Sequence, residues 1–115
     1  PEDMDLVQVH DASAMGDIIQ ADSLGLVPLG GGGPAAERGE FTLGGRTPIN
    51  PSGGLESKGH PLGATGIGQL YELVTQLRGE AGARQVEGAR HAIQENGGGL
   101  QGIEEAAVAV HILSR

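Results

Sequence analysis

The chain has 115 residues and a formal charge of −8, with 22 glycines, one Phe, one Tyr, no Trp and no Cys. That length gives room for one domain, and the missing cysteine excludes disulfides and thiolate zinc sites. The 15 acidic against 7 scattered basic residues leave no cationic stripe for nucleic acid. No apolar run approaches the roughly 20 residues that cross a bilayer. The amino-terminal segment PEDMDLVQVH has neither a basic region nor a signal-like apolar stretch, so the expected setting is cytoplasmic. A core with almost no aromatics must come from close packing of sheet and helix, or from burial against another chain.

Residues 4–11 (MDLVQVHD) read as a short strand carried by Leu6, Val7 and Val9, which delivers His10 and Asp11 to the point where strand passes to helix. Residues 12–26 have a helical pattern through Met15, Ile18 and Ile19, with Gly25 as the stop. Residues 27–54 read mostly as loop, because the run Gly30–Gly33 is expensive to order, although long loops can cover a site. The strongest helix spans 65–79: Ile67, Leu70, Val74 and Leu77 recur at helical spacing, Tyr71 and Leu73 flank them, and Gly79 ends the pattern. After a polar connector (80–89), RHAIQENGGG and IEEAAVAVHILSR read as two strands joined by a glycine turn, the second β-branched at Val108, Val110 and Ile112. Strand, helix, loop, helix, strand, strand is an α/β order, with helices covering a mixed sheet.

Of the four histidines, His91 and His111 fall in expected strands without a glycine context and read as ordinary strand residues. His60 stands apart. Gly59 and Pro61 fix its backbone neighbourhood, Gly63 and Gly66 leave space above it, and a helix begins within a few residues. Main-chain N–H groups at a helix start attract anions, and a histidine held there can donate to developing negative charge or take a nucleophile's proton. The residues alone leave this reading and a plain helix entry equally open.

The stretch NPSGGLESKGHPLGATG resembles the second signature of the thiolases. Asn50, Gly53, Gly54, Ser57, Gly59, His60, Pro61, Gly63, Thr65 and Gly66 fall on its fixed offsets, whereas Glu56 stands at an aliphatic position. VHDAS is similar to the His-Asp-x-Phe box of sterol-carrier-protein-type thiolases, with Ser13 in place of the aromatic. ENGGG sits where such enzymes carry a Cys-x-Gly or His-Asn loop before the last strand. The resemblance covers nearly the whole chain. It implies the carboxy-terminal half of a layered α/β/α fold, here without its first strand and helix, and a strand edge left open to another polypeptide.

The chemistry it implies is thioester exchange on acyl-coenzyme A: thiolysis or Claisen condensation, with the coenzyme A thioester as substrate and no covalently bound cofactor or metal. By the resemblance His60 activates a cysteine nucleophile and helps bind an oxyanion, and His10 donates to the enolate oxygen. Glu95 takes the place of the second acid/base, although the family has Cys or His there, and Asn96 and Gly97, which follow it in the loop, join Gly59 and Gly63 as the oxyanion- and substrate-binding residues. The nucleophile is absent from this chain. The resemblance therefore implies a partner, either an amino-terminal half or a second subunit, in a homo- or hetero-oligomer. Two other readings share the fold: a retro-aldolase subunit of sterol side-chain degradation, and a non-catalytic subunit that binds acyl-CoA or lipid. No nucleic acid and no membrane span are expected.

Overall fold

The computed structural model describes residues 1–115, apart from the side chain of Glu104. Strand β1 (Leu6–Gln8) is shorter than its apolar run suggests but buried throughout, because it is flanked on both sides. On one side it pairs in parallel with β2 (His91–Gly97), and on the other Val7 bridges to Ile49. Strand β5 (Val108–Ser114) runs antiparallel along the far side of β2, giving the order β1-β2-β5. The expected glycine turn between the last two strands contains a small hairpin, β3 (Leu100–Gln101) with β4 (Glu104–Glu105). The expected mixed sheet with covering helices is what the chain forms.

Alternation along the strands divides the core in two. Leu6 and Ala92 turn to one face and pack against Leu73 and Leu77 of α4 (Thr65–Leu77). Val7 and Val9 turn to the other and pack against Ala21 of α1 (Ala14–Ser23), with Ile93 beside them. Register places Val108, Val110 and Ile112 on the α1 face, opposite Gly97, Glu95 and Ile93. All three are exposed, and among the described residues β5 pairs with no strand on its outer edge.

Helix α1 begins where Ser13 Oγ accepts from Gly16 N at 3.3 Å, so the serine found in place of an aromatic is its N-cap. Gly25 ends it with φ +70°, as the sequence suggests. The segment expected to be loop is more ordered than its glycines imply. It contains α2 (Gly32–Glu37), and at its last residue, inside the glycine-histidine motif, α3 (Gly54–Lys58) begins. Asp22 supplies the missing order: its carboxylate accepts from Gly30 N and Gly32 N, both at 2.8 Å. A side chain at Gly32 would collide with the Ile18 carbonyl, so glycine is what lets α2 lie on α1.

In α4 the buried face is rotated from the expected stripe. Ile67 and Tyr71 are about 70 % exposed, and Leu73, expected at the flank, is fully buried. The residues beside Leu73 on that face are polar: Gln69, Glu72 and Gln76. They are buried because each has a partner: β2 satisfies Gln69, and the connector satisfies Glu72 and Gln76. Gln76 Nε2 donates to the Arg84 carbonyl at 2.8 Å and its Oε1 accepts from Val86 N at 2.8 Å. Arg84 grips both oxygens of Glu72, at 2.9 and 3.1 Å. Burial works to raise the Glu72 pKa, but the hydrogen bonds from Arg84 and Gln76 outweigh it and hold the carboxyl below its ordinary value. An apolar-periodicity argument cannot see such a face. Among the described residues no helix is long and apolar enough to cross a membrane.

Because the Asp22 carboxylate accepts two main-chain N–H groups at the start of α2, Asp22→Ala is expected to lower stability by about 1–2 kcal/mol, measured by urea denaturation. The glycine segment 30–33 should lose its hydrogen-exchange protection in the same variant.

Candidate functional site

Strands β1 and β2 are parallel and neighbouring, so their carboxyl ends open on the same side, where ligands of α/β sheets characteristically bind. His10 follows the end of β1, Asn96 and Gly97 end β2, and the start of α4 brings Thr65 and Gly66 beside them. Together with His60, Gly63 and His111 these residues line one cleft of about 480 Å³.

The two motif histidines meet there. Their ring centroids are 4.8 Å apart, with the planes tilted by 57°. His10 Nδ1 lies 3.0 Å from the Gly97 carbonyl. A carbonyl only accepts, so Nδ1 carries a proton and Nε2 is the free nitrogen. His60 Nδ1 lies 2.7 Å from Thr65 Oγ1, and that hydroxyl donates to the Pro61 carbonyl at 3.3 Å. Thr65 therefore accepts from Nδ1–H, and His60 also presents Nε2. His60 is exposed and His10 half-buried.

What brings the two loops together is Asp11. Its buried carboxylate accepts from Leu55 N at 2.7 Å and Glu56 N at 3.4 Å, which caps α3 from the end of β1. Gly54 lies so close, at φ +60°, that a Cβ there would overlap the Asp11 carboxylate. The aspartate of VHDAS and the second glycine of SGGL thus make one contact. Asn50 makes the next one: at φ 49°, its Oδ1 accepts from Val9 N at 3.0 Å and its Nδ2 donates to Asp17 at 3.0 Å.

The other expected site residues fall in different places. Asn96, Gly97 and Gly63 line the cleft. Gly59 ends α3 at φ 83° and lines a separate 160 Å³ hollow beneath the motif. Glu95 alternates with Gln94 and Asn96, so its side chain lies on the α1 face and not among the cleft residues. It is buried, and its Oε2 accepts from His10 N at 3.0 Å. Burial raises its pKa, the His10 N–H acts to lower it, and Glu105 raises it further. The structure thus joins Glu95 to His10 through the main chain.

Sequence reasoning gave no role to Asp11, Thr65 or Gln94 and read His111 as an ordinary strand residue. The Thr65 hydroxyl was legible in principle, as the one side-chain hydroxyl at the helix start that follows His60. His111 was not, since its place in the cleft depends on the register of β5.

Comparison with known proteins adds the following. A family model described as thiolase C-terminal domain-like matches residues 1–115. The chain is 53 % identical over 115 residues to the acetyl-CoA acetyltransferase of Methanothermobacter thermautotrophicus, covering all of this chain and 29 % of that protein. It is 55 % identical over 96 residues to sterol carrier protein 2 of Bos taurus, covering 84 % of this chain and 18 % of the relative. To the benzoylsuccinyl-CoA thiolase subunit BbsB of Thauera aromatica it is 39 % identical over 87 residues, or 76 % of this chain and 23 % of that subunit. The chain thus spans less than a third of each of these three relatives.

The Asp11–Gly54 contact gathers negative charge. Burial, then the nearby carboxylates Asp11 and Glu56, push Asp17 up to about 6, against a smaller lowering by Asn50. A raised carboxylate binds its proton more tightly folded than unfolded, so stability falls as pH rises from about 4 to about 6. Asp17→Asn is therefore expected to stabilise the protein at pH 7.5, by about 1 kcal/mol once solvent screening is allowed for, and to lose that advantage near pH 4. Thermal melts across that range check it.

Proposed function

Because the chain belongs to the thiolase C-terminal domain-like family, we propose that it is the carboxy-terminal part of an acyl-CoA acyltransferase acting on thioesters by thiolysis or Claisen condensation. The observation that carries this reading is the paired presentation of His10 and His60, with rings 4.8 Å apart and each Nδ1 already engaged. Two imidazoles with free Nε2 atoms in one cleft suit a reaction that moves protons and stabilises oxyanions in succession.

In this mechanism the nucleophilic thiol is supplied by an amino-terminal half or a partner subunit, since the chain has no cysteine. His60 Nε2 takes the thiol proton, and the thiolate adds to the acyl carbonyl. The resulting imidazolium donates to the oxyanion, then returns its proton as the coenzyme A sulfur leaves. His10, taking up a proton at Nε2 while Nδ1–H stays on the Gly97 carbonyl, donates as an imidazolium to the enolate oxygen formed when the second thioester gives its α-proton to a base of the partner half. Glu95 serves in this proposal by holding the His10 main chain; its side chain lies on the α1 face, away from the cleft, and so does not reach the α-proton. Asn96, Gly97 and Gly63 form the substrate wall. In this proposal an amino-terminal half or a partner subunit docks on the open edge of β5 and the exposed Val108, Val110 and Ile112, and a second subunit there makes the protein an oligomer.

The lack of a cysteine keeps one other reading in play, a retro-aldol subunit that needs no thiol nucleophile. A Cys-x-Ser box in the partner half supports the acyltransferase, and its absence supports the aldolase. The direct test is thiolysis of acetoacetyl-CoA by the chain joined to its amino-terminal half. His60→Ala is expected to lower kcat by roughly 10²–10⁴-fold, while His91→Ala leaves it unchanged. A His60→Ala enzyme with near-normal kcat would remove His60 from the mechanism.

A further inference from the structure

The interface between α4 and β2 contains a line of buried amides with no role in the chemistry above. Gln69 Nε2 donates to the Glu95 carbonyl at 3.1 Å, and Gln94 Nε2 donates to Gln69 Oε1 at 2.8 Å. Gln94 Oε1 lies 2.6 Å from His111 Nδ1. Gln69 and Gln94 are 2 % and 1 % exposed, at positions where a helix on a sheet would ordinarily bury Leu or Val. Every donor in the line is assigned by its neighbour. Both amide nitrogens are committed as donors, so Gln94 Oε1 can only accept, and His111 Nδ1 must carry a proton. The free nitrogen of His111 is then Nε2, on a residue that lines the cleft of His10 and His60.

Three histidines therefore line that cleft, each with Nδ1 engaged. The same cleft is lined by Ala109, Leu70, Ile67 and Leu62, which suit hydrocarbon. Among the described residues no Lys, Arg, Asp or Glu lines the cleft. The His111 imidazole presents a free nitrogen that can recognise an oxygen: a hydroxyl by accepting at Nε2, or a carboxylate by donating from Nε2–H after protonation. Neither state disturbs the bond to Gln94.

We propose that His111 is a specificity-determining residue that contacts an oxygen function carried on the acyl chain of the substrate, and that Gln69 and Gln94 are positioning residues that fix which of its nitrogens faces the cleft. This rests on the thioester reading of the same cleft.

The test uses the complete enzyme and three 3-oxoacyl-CoA thioesters of equal chain length, one unsubstituted, one with a terminal hydroxyl and one with a terminal carboxylate. His111→Phe keeps a flat ring of similar size without its nitrogens. It is expected to lower kcat/KM for an oxygenated thioester at least 10-fold, mainly through KM, and to change the unsubstituted one less than 3-fold. Which oxygenated substrate suffers tells the hydroxyl from the carboxylate. Gln94→Met should weaken the same substrate in the same direction. Equal losses on all three thioesters, or no loss on any, would overturn the proposal. Imidazole ¹⁵N spectra of the same enzyme give a readout besides turnover. Nδ1 of neutral His111 should be protonated, and the Nε2 resonance should shift when the oxygenated thioester is added; an unprotonated Nδ1 or an unmoved Nε2 sinks the assignment. A wild-type enzyme that turns over none of the thioesters removes the thioester reading itself, whereas selective loss in the variant cannot arise without it.

Discussion

The Asp11 carboxylate is the tie on which the site depends. It sits at the end of a fully buried strand and accepts from the first main-chain donors of α3, 44 residues further along the chain. A helix of five residues has little stability of its own, because nucleation is costly and few internal hydrogen bonds repay it. Its start is held by a charge-assisted bond from another element, and the histidine two residues beyond its end inherits that placement. Gly54 is the counterpart, since no residue with a Cβ leaves room for the carboxylate. Asn50 then fastens the same loop to the Val9 main chain. One buried carboxylate, one glycine and one asparagine in the left-handed region thus bring His10 and His60 to a common cleft.

The same architecture explains why so polar a helix face can be buried. Gln69, Glu72 and Gln76 of α4 are all satisfied, two by the connector that follows the helix and one by β2. Buried polar groups are tolerated when each has its partner, and a satisfied set specifies one packing where an apolar face would accept several. On the opposite face β5 is left bare, with three β-branched side chains in solvent and an unpaired edge. Edges of that kind invite pairing with another polypeptide.

Much of this was legible in the sequence. The strands, the two long helices and the stop at Gly25 follow from periodicity and glycine placement, and the spacing of NPSGGLESKGHPLGATG pointed to the family. The remainder was hidden for physical reasons. Helices α2 and α3 are too short to show periodicity and exist because Asp22 and Asp11 cap them from other elements. The stripe on α4 misled because hydrogen-bonding partners, which a sequence does not display, decided which face was buried. Glu95 could be placed on β2, but not on the face away from the cleft, since one residue of register decides that. His111 was read as an ordinary strand residue for the same reason.

The most direct test of the account is the contact between the two imidazoles in the presence and absence of the Asp11 tie. In the wild-type protein, nuclear Overhauser effects between the ring protons of His10 and His60 are expected, given centroids 4.8 Å apart. Asp11→Ala should abolish them while leaving the signals of β1 and β2 in place. Ring contacts that persist undiminished in Asp11→Ala would contradict the claim that this carboxylate assembles the site.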